Sequence, residues 1–245
     1  MNPQARAFEG QTAVVTGGGT GVGAAVALAL AGAGASLHLV GRRVGVLEAI
    51  AAKARDMGAQ ATSHFADFST DGGQQELTQQ LAHDLHQVDV LIQNAATHSS
   101  GAIERAKLTE FDTLFQTNVR APYALTQALL PMLKARRGQV VFINSSSGLL
   151  AKPLTAQYDA TKHALKAIAD ALRGEVNPHG VRVLSVYLGR TATDMQARIH
   201  RMENKPYQPE LLLQPEDVAS VIMNALSLPR TAEVTDIHIR PMIKT

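Results

Sequence analysis

Cysteine is absent from the 245 residues, which excludes disulfides and thiolate zinc sites and leads us to expect a reducing compartment, the cytoplasm. Charge of one sign is scarce too: 23 Lys and Arg against 21 Asp and Glu leave a net +2, and aromatic residues make up only 4%. A nucleic-acid surface needs a concentrated basic face, usually with rings on which bases stack. The Arg42-Arg43 and Arg136-Arg137 pairs have neither behind them, so no nucleic-acid partner is expected. Long apolar runs are also missing. The most apolar stretch, residues 22–35, falls short of the ~20 residues that cross a bilayer, so no membrane association is expected. Residues 1–10 lack the basic-then-apolar order of a secretory signal, and no export is expected. No linker, repeat or low-complexity tract divides the chain, which reads as a single domain over residues 1–245.

With 45% hydrophobic residues the chain can bury a full core. Short apolar runs at residues 12–16, 36–40, 61–66, 89–92, 140–143, 181–187 and 234–239 read as strands, and Val140 to Ile143 has the unbroken apolarity of a strand buried on both faces. Helical stretches separate these runs. The alternation predicts an α/β fold, a doubly wound parallel sheet whose ligand crevice lies outside the carboxyl ends of its strands.

The first strand runs into Gly17-Gly-Gly-Thr-Gly21-Val-Gly23, which opens a helix. Glycine tolerates positive φ and lets the backbone approach a pyrophosphate, while the helix N-terminus offers free N–H groups to an anion. In that context Gly17, Gly19, Thr20, Gly21, Val22 and Gly23 are candidate dinucleotide contacts. The second strand ends in Gly41-Arg42-Arg43, where a unit built for NAD would carry an acid for the ribose hydroxyls. Two arginines suit a 2′-phosphate instead, so NADP(H) is the expected cofactor. Residues 156–177 read as a helix on which Tyr158 and Lys162, four apart, share a face. A free tyrosine loses its proton near pH ~10, and a nearby ammonium is expected to supply much of the roughly 4 kcal/mol that brings this to about 7. Ser145, at the end of the central strand, is placed to hydrogen-bond a substrate oxygen while Tyr158 moves the proton.

Taken jointly, Thr16-Gly17-x-x-x-Gly21-x-Gly23, Asp67, Asn94-Ala95, Asn118, Ser145 and Tyr158-x-x-x-Lys162 resemble the short-chain dehydrogenase/reductase family over nearly the whole chain. The resemblance implies a Rossmann-type fold of about seven strands flanked by helices, a nicotinamide cofactor, and a catalytic group of Asn118, Ser145, Tyr158 and Lys162. It also implies that Asp67 and Phe68 contact the adenine, that Asn94 and Ala95 line the cofactor's ribose side, and that Gly189, Thr191 and Thr193 hold the nicotinamide amide. Residues 189–213, with Met195, Ile199, Met202 and Tyr207 among polar neighbours, read as a mobile lid over the substrate. Pro122 lies inside an expected long helix, residues 109–136, and leaves the Asn118 carbonyl without its intrahelical donor. In the family that carbonyl binds a water linked to the lysine. Gln93, Ala96 and Leu188 depart from the family's pattern at positions where a backbone shift would reach the cofactor.

The expected function is therefore an NADP(H)-dependent oxidoreductase acting on a small-molecule carbonyl or alcohol, with Tyr158 as general acid and base. The alternative is a non-catalytic dinucleotide-sensing protein of the same fold, against which the intact Ser145, Tyr158 and Lys162 set argues. The substrate itself is not readable: the apolar side chains of the lid and Arg190, close to the site, permit a hydrophobic ketone, an acidic one or neither. His83 and His86 have no carboxylate or cysteine cluster around them, and no metal is expected. On the helix of residues 156–177, Ala160, Ala164, Ala167 and Ala171 fall nearly opposite the stripe of Tyr158 and Lys162. Side chains that small would let a second helix approach, and the family's pairing through this helix implies a homodimer or homotetramer.

Overall fold

The computed structural model describes residues 6–243. Strands β1 (Thr12–Thr16), β2 (Ser36–Gly41), β3 (Ala61–Phe65), β4 (Val90–Gln93), β5 (Gln139–Ser145), β6 (Arg182–Leu188) and β7 (Asp236–Ile239) form a single seven-stranded sheet. The order is β3-β2-β1-β4-β5-β6-β7 and all pairings are parallel. Between β1 and β4 the winding reverses, which opens a crevice at the carboxyl ends.

Helices α1 (Gly21–Gly32), α2 (Val44–Asp56), α3 (Asp71–Asp84), α4 (Leu108–Phe115), α5 (Ala121–Arg136), α6 (Ala156–Val176), α7 (Asp194–Met202) and α8 (Pro215–Leu226) connect the strands. Side chains alternate across a strand, so each central strand feeds two cores. Val15, Leu39, Ile92, Val141 and Val186 meet α1, α2 and α8. Val14, Val40, Leu91, Val140 and Phe142 meet α3, α5 and α6. Among the described residues no helix is long and apolar enough to cross a membrane.

The expected single helix over residues 109–136 is interrupted. Residues Gln116–Arg120 form a π-type turn between α4 and α5, in which the Ala121 N–H reaches the Gln116 carbonyl. The cause is Pro122: it cannot donate to the Asn118 carbonyl, and widening the preceding turn by one residue relieves its ring. Strand β4 starts at Val90, one residue later than expected, although the Asp89 backbone already bonds to Thr12 and Gln139; its carboxylate accepts the Thr12 N–H at 2.9 Å and pairs with Arg136 at 2.8 Å.

At the far end of the sheet, buried Arg182 gathers the chain around the end of α8. It donates to the carbonyls of Leu226, Leu228, Pro229 and Ala232 at 2.9–3.3 Å and to Gln139 Oε1 at 2.6 Å. The terminal carbonyl of Leu226 lacks an intrahelical donor, and this guanidinium supplies one while tying down the loop that follows.

Candidate active site

The glycine turn after β1 is fixed from below. Thr16 Oγ1 accepts the N–H groups of Asn94 (2.9 Å) and Ala95 (3.0 Å) and donates to the Ile92 carbonyl. Asn94 Nδ2 donates to the carbonyls of Thr16 and Gly17 at 3.0 and 3.2 Å. A side chain at Gly23 would start 2.3 Å from the Gly17 carbonyl, and Gly17 itself has φ +66° with Asn94 Nδ2 only 2.7 Å from where a Cβ would stand. Both positions therefore require glycine. Gly23 does not line the cavity; it lets α1 press against the turn so that Gly17, Gly19, Thr20, Gly21 and Val22 do. No side chain caps α1, leaving its first N–H groups directed at the cavity.

That cavity, about 800 Å³, runs along the carboxyl ends of the strands. At one end Arg42, Arg43, Asp67 and Phe68 form its wall. Arg43 donates to Thr20 Oγ1 at 3.2 Å and lies 3.9 Å from Asp194, while Arg42 has no such partner among the described residues. Hydrogen bonds from Ser69 hold the Asp67 carboxyl below its ordinary range, with Arg42 adding a smaller pull. Gln93 turns away, donating to the Pro122 carbonyl and Thr126 Oγ1, both at 3.1 Å. This departure thus ties β4 to α5 below the site, while Ala96 and Leu188 stand in the cavity wall.

Ser145, Tyr158 and Lys162 meet at the middle of the cavity. Asn144 fastens β5 to α6 through the Lys162 carbonyl at 3.2 Å. Lys162 Nζ donates to the Ile143 carbonyl at 3.1 Å and stands 5.8 Å from the centre of the Tyr158 ring. The expected depression of the phenol is reversed. Burial pushes Tyr158 up to about 12, a hydrogen bond with Ser145 opposes the rise, and Asp159 adds to it. Burial also brings the Lys162 ammonium down to about 8. Desolvation is the largest cause of both shifts.

Asn118 is buried and outside the cavity wall. Its amide exchanges hydrogen bonds with the Thr97 backbone at 2.8 and 2.9 Å and donates to Thr161 Oγ1 at 3.1 Å, so it joins the loop after β4 to α6. Thr191 and Thr193 line the cavity with Gly189. The Thr193 hydroxyl accepts the Gln196 N–H at 3.2 Å as the cap of α7. The segment of residues 189–213 is held at several points: Arg190 grips Glu203 at 2.8 and 3.1 Å and approaches His200 Nε2 at 3.2 Å, and Thr191 bridges to Leu213.

A family model described as short chain dehydrogenase matches residues 11–204. The chain belongs to the short-chain dehydrogenase family. It is 39% identical over 117 residues to dehydrogenase/reductase SDR family member 7B of Xenopus laevis, covering 47% of this chain and 36% of that protein. An uncharacterized oxidoreductase of Staphylococcus epidermidis is 29% identical over 233 residues, 95% of this chain and 97% of that one. Against the first curated relatives the alignments span 36% to 64% of the relative's length. Among solved structures, an alcohol dehydrogenase from Thermococcus sibiricus complexed with 5-hydroxy-NADP superposes with a TM-score of 0.86 at 27% identity, covering 96% of this chain and 98% of that one. A metagenomic short-chain oxidoreductase in complex with NADP gives 0.83 at 28%, covering 97% and 100%.

This member of the family also places at its site residues that no sequence pattern marked. His98 tilts over Tyr158 with ring centres 4.6 Å apart, and its buried Nδ1 has no hydrogen-bond partner. Asp159 is buried beside Tyr158, accepting from the Lys152 N–H (2.8 Å) and Thr155 Oγ1 (2.7 Å). A lone histidine in a loop carries no periodicity or spacing signal, and an acid next to Tyr158 on a helix reads as solvent-facing. Only the fold turns them inward.

Proposed function

We propose that the protein moves a hydride between NADP(H) and a carbonyl or alcohol carbon, with Tyr158 transferring the proton at the substrate oxygen. The observation that carries this reading is the convergence of Ser145, Tyr158 and Lys162 on one cavity whose far wall is the glycine turn with Arg42. The residues fit a dinucleotide: the glycine turn lines the cavity, and the uncapped N-terminus of α1 leaves its first N–H groups free for a phosphate. Gly17, Gly19, Thr20, Gly21 and Val22 would hold the pyrophosphate, Arg42 with Arg43 the 2′-phosphate, Asp67 and Phe68 the adenine. Asn94, Ala95, Tyr158 and Lys162 would border the nicotinamide ribose, and Gly189, Thr191 and Thr193 the amide. When bound, the nicotinamide ring supplies or accepts the hydride.

A phenol held at about 12 stays protonated at neutral pH, which suits donation to a developing alkoxide. Ser145 donates a hydrogen bond to the same oxygen, so charge gathering there meets two O–H groups. Lys162 keeps most of its charge at pH 7 with its pKa near 8, and a cation beneath the phenol favours the tyrosinate left after transfer. Asn118 acts at one remove, as a positioning residue between the β4 loop and α6. Residues 189–213 serve as the lid over substrate, and the absence of cysteine suits a cytoplasmic setting. The exposed Ala160, Ala167 and Ala171 with half-buried Ala164 fit a homodimer or homotetramer contact.

The test is a screen of carbonyl compounds followed by NADPH oxidation at its absorbance band, with Tyr158→Phe as control. Tight NADPH binding without turnover of any carbonyl would favour the dinucleotide-sensing alternative.

A further inference from the structure

Beyond Tyr158, the cavity continues between the lid and the loop before α6, and its charges do not balance. Arg190, the cation that the sequence pointed to, is not free: it grips Glu203, which also pairs with Lys205 at 2.9 Å. Asp194 lies near Arg43. Both acids of this wall therefore have cations beside them. Lys152 and Arg198 line the same space, and neither has an acidic partner within ion-pair distance among the described residues. Arg198 is close enough to lower the pKa of His98, after the larger effect of burial and against the opposing pull of Asp159 and Glu203. His98 is in turn in ring contact with Tyr158. A neutral imidazole retains one N–H, and its buried Nδ1 is unpartnered.

We infer that the substrate of this site is a carbonyl compound bearing a carboxylate near its reacting carbon, received by Arg198, Lys152 and His98. The inference rests on the hydride-transfer reading above and specifies its substrate. Two unmatched cations in a walled cleft raise the local concentration of an anion and orient it. The carboxylate seated by Arg198 beside His98 leaves the neighbouring carbonyl next to the Tyr158 hydroxyl and Ser145. Met195 and Ile199, also in the wall, receive an aliphatic remainder.

The experiment compares straight-chain 2-oxo and 3-oxo acids with their methyl esters as substrates of the intact enzyme with NADPH. The acid of each pair is expected to show kcat/KM at least about ten-fold above its ester, the effect of one charge-assisted hydrogen bond. That advantage should shrink with added salt. Arg198→Met and Lys152→Met are each expected to raise KM for the acid about ten-fold more than for the ester, with kcat little changed. His98→Phe, which keeps the ring contact, should raise the acid's KM while His98→Gln partly restores it. A second arm needs no turnover: calorimetry of saturated carboxylates of the same lengths binding the protein–NADP⁺ complex, weakened in Arg198→Met. If esters match acids in turnover, or millimolar carboxylates do not bind, the inference is overturned and hydride transfer stands. If no carbonyl compound is reduced but carboxylates bind through Arg198, hydride transfer fails and the anion site stands.

Discussion

Lys162 is a buried cation whose pKa of about 8 records the free energy needed to keep it charged, roughly 3 kcal/mol against an ordinary lysine. Because the folded pKa lies below the unfolded one, this penalty is fully present at neutral pH and is relieved as pH rises from about 8 to 10.5. Lys162→Met should therefore raise the melting temperature of the free protein at pH 7 by up to roughly 6–12 °C, less whatever the lost hydrogen bond to Ile143 contributed, measured by calorimetry, while abolishing most turnover. An unchanged or lower melting temperature would mean that the hydrogen bond to Ile143 outweighs the charge. Tyr158→Phe removes only the transferable proton, so turnover should vanish while NADPH affinity, followed by the cofactor's fluorescence, stays within a few-fold. Arg42 lacks the partners that occupy Arg43, which makes it the main support for a 2′-phosphate. Arg42→Ala should cost about ten- to a hundred-fold in NADPH affinity, the worth of a charge-assisted hydrogen bond, and little in NADH affinity.

Helices divide their faces according to what each must meet. On α6, Tyr158, Lys162, Leu165, Ala169, Leu172 and Val176 are buried against the sheet as their spacing predicts. Lys166 and Arg173 pair with Asp170 on a second face, and the alanine face is left uncovered. Ala164→Glu and Ala167→Glu should shift the assembly to smaller species in sedimentation, because a carboxylate at a tight apolar contact is buried unpaired. A wild type that sediments as a monomer at micromolar concentration would remove the contact and leave the chemistry intact. At α8 the end depends on one side chain from β6. Arg182→Met would orphan several carbonyls at once, and we expect a loss of about 3 kcal/mol, or roughly 6–12 °C in melting temperature.

Across the whole molecule the acid limit of stability falls to histidines held neutral by packing. His38 Nδ1 and His64 Nε2 are 2.8 Å apart on neighbouring strands with stacked rings. Burial brings His38 down to about 4, with His64 reinforcing it, and lowers His64 as well; Asp84 opposes both. A depressed histidine stabilises the fold above its unfolded pKa near 6.5, and that stabilisation is lost as pH falls from there toward about 4. The melting temperature should decline across this window, before the carboxylates titrate. His38→Leu with His64→Leu should flatten the decline, leaving the smaller part due to His98; a decline of unchanged slope would assign it elsewhere.

The sheet, its order of elements and the glycine turn were legible because they rest on local rules: the period of apolar residues, the stereochemistry of glycine, and a four-residue spacing on a helix. The same rules brought Ser145, Tyr158 and Lys162 to one cavity. What they could not reach is whatever sums contributions from distant parts of the chain. The Tyr158 phenol goes up rather than down because walls from several loops desolvate it and hold Lys162 at 5.8 Å. Asn118 turns from the cavity because Thr97 and Thr161, remote in sequence, saturate its amide. Arg190 is matched and Arg198 is not, because α7 brings Glu203, just past its end, back to Arg190 and brings no acid within ion-pair distance of Arg198 among the described residues. Burial and charge pairing are properties of the packed molecule, and only tertiary structure decides them.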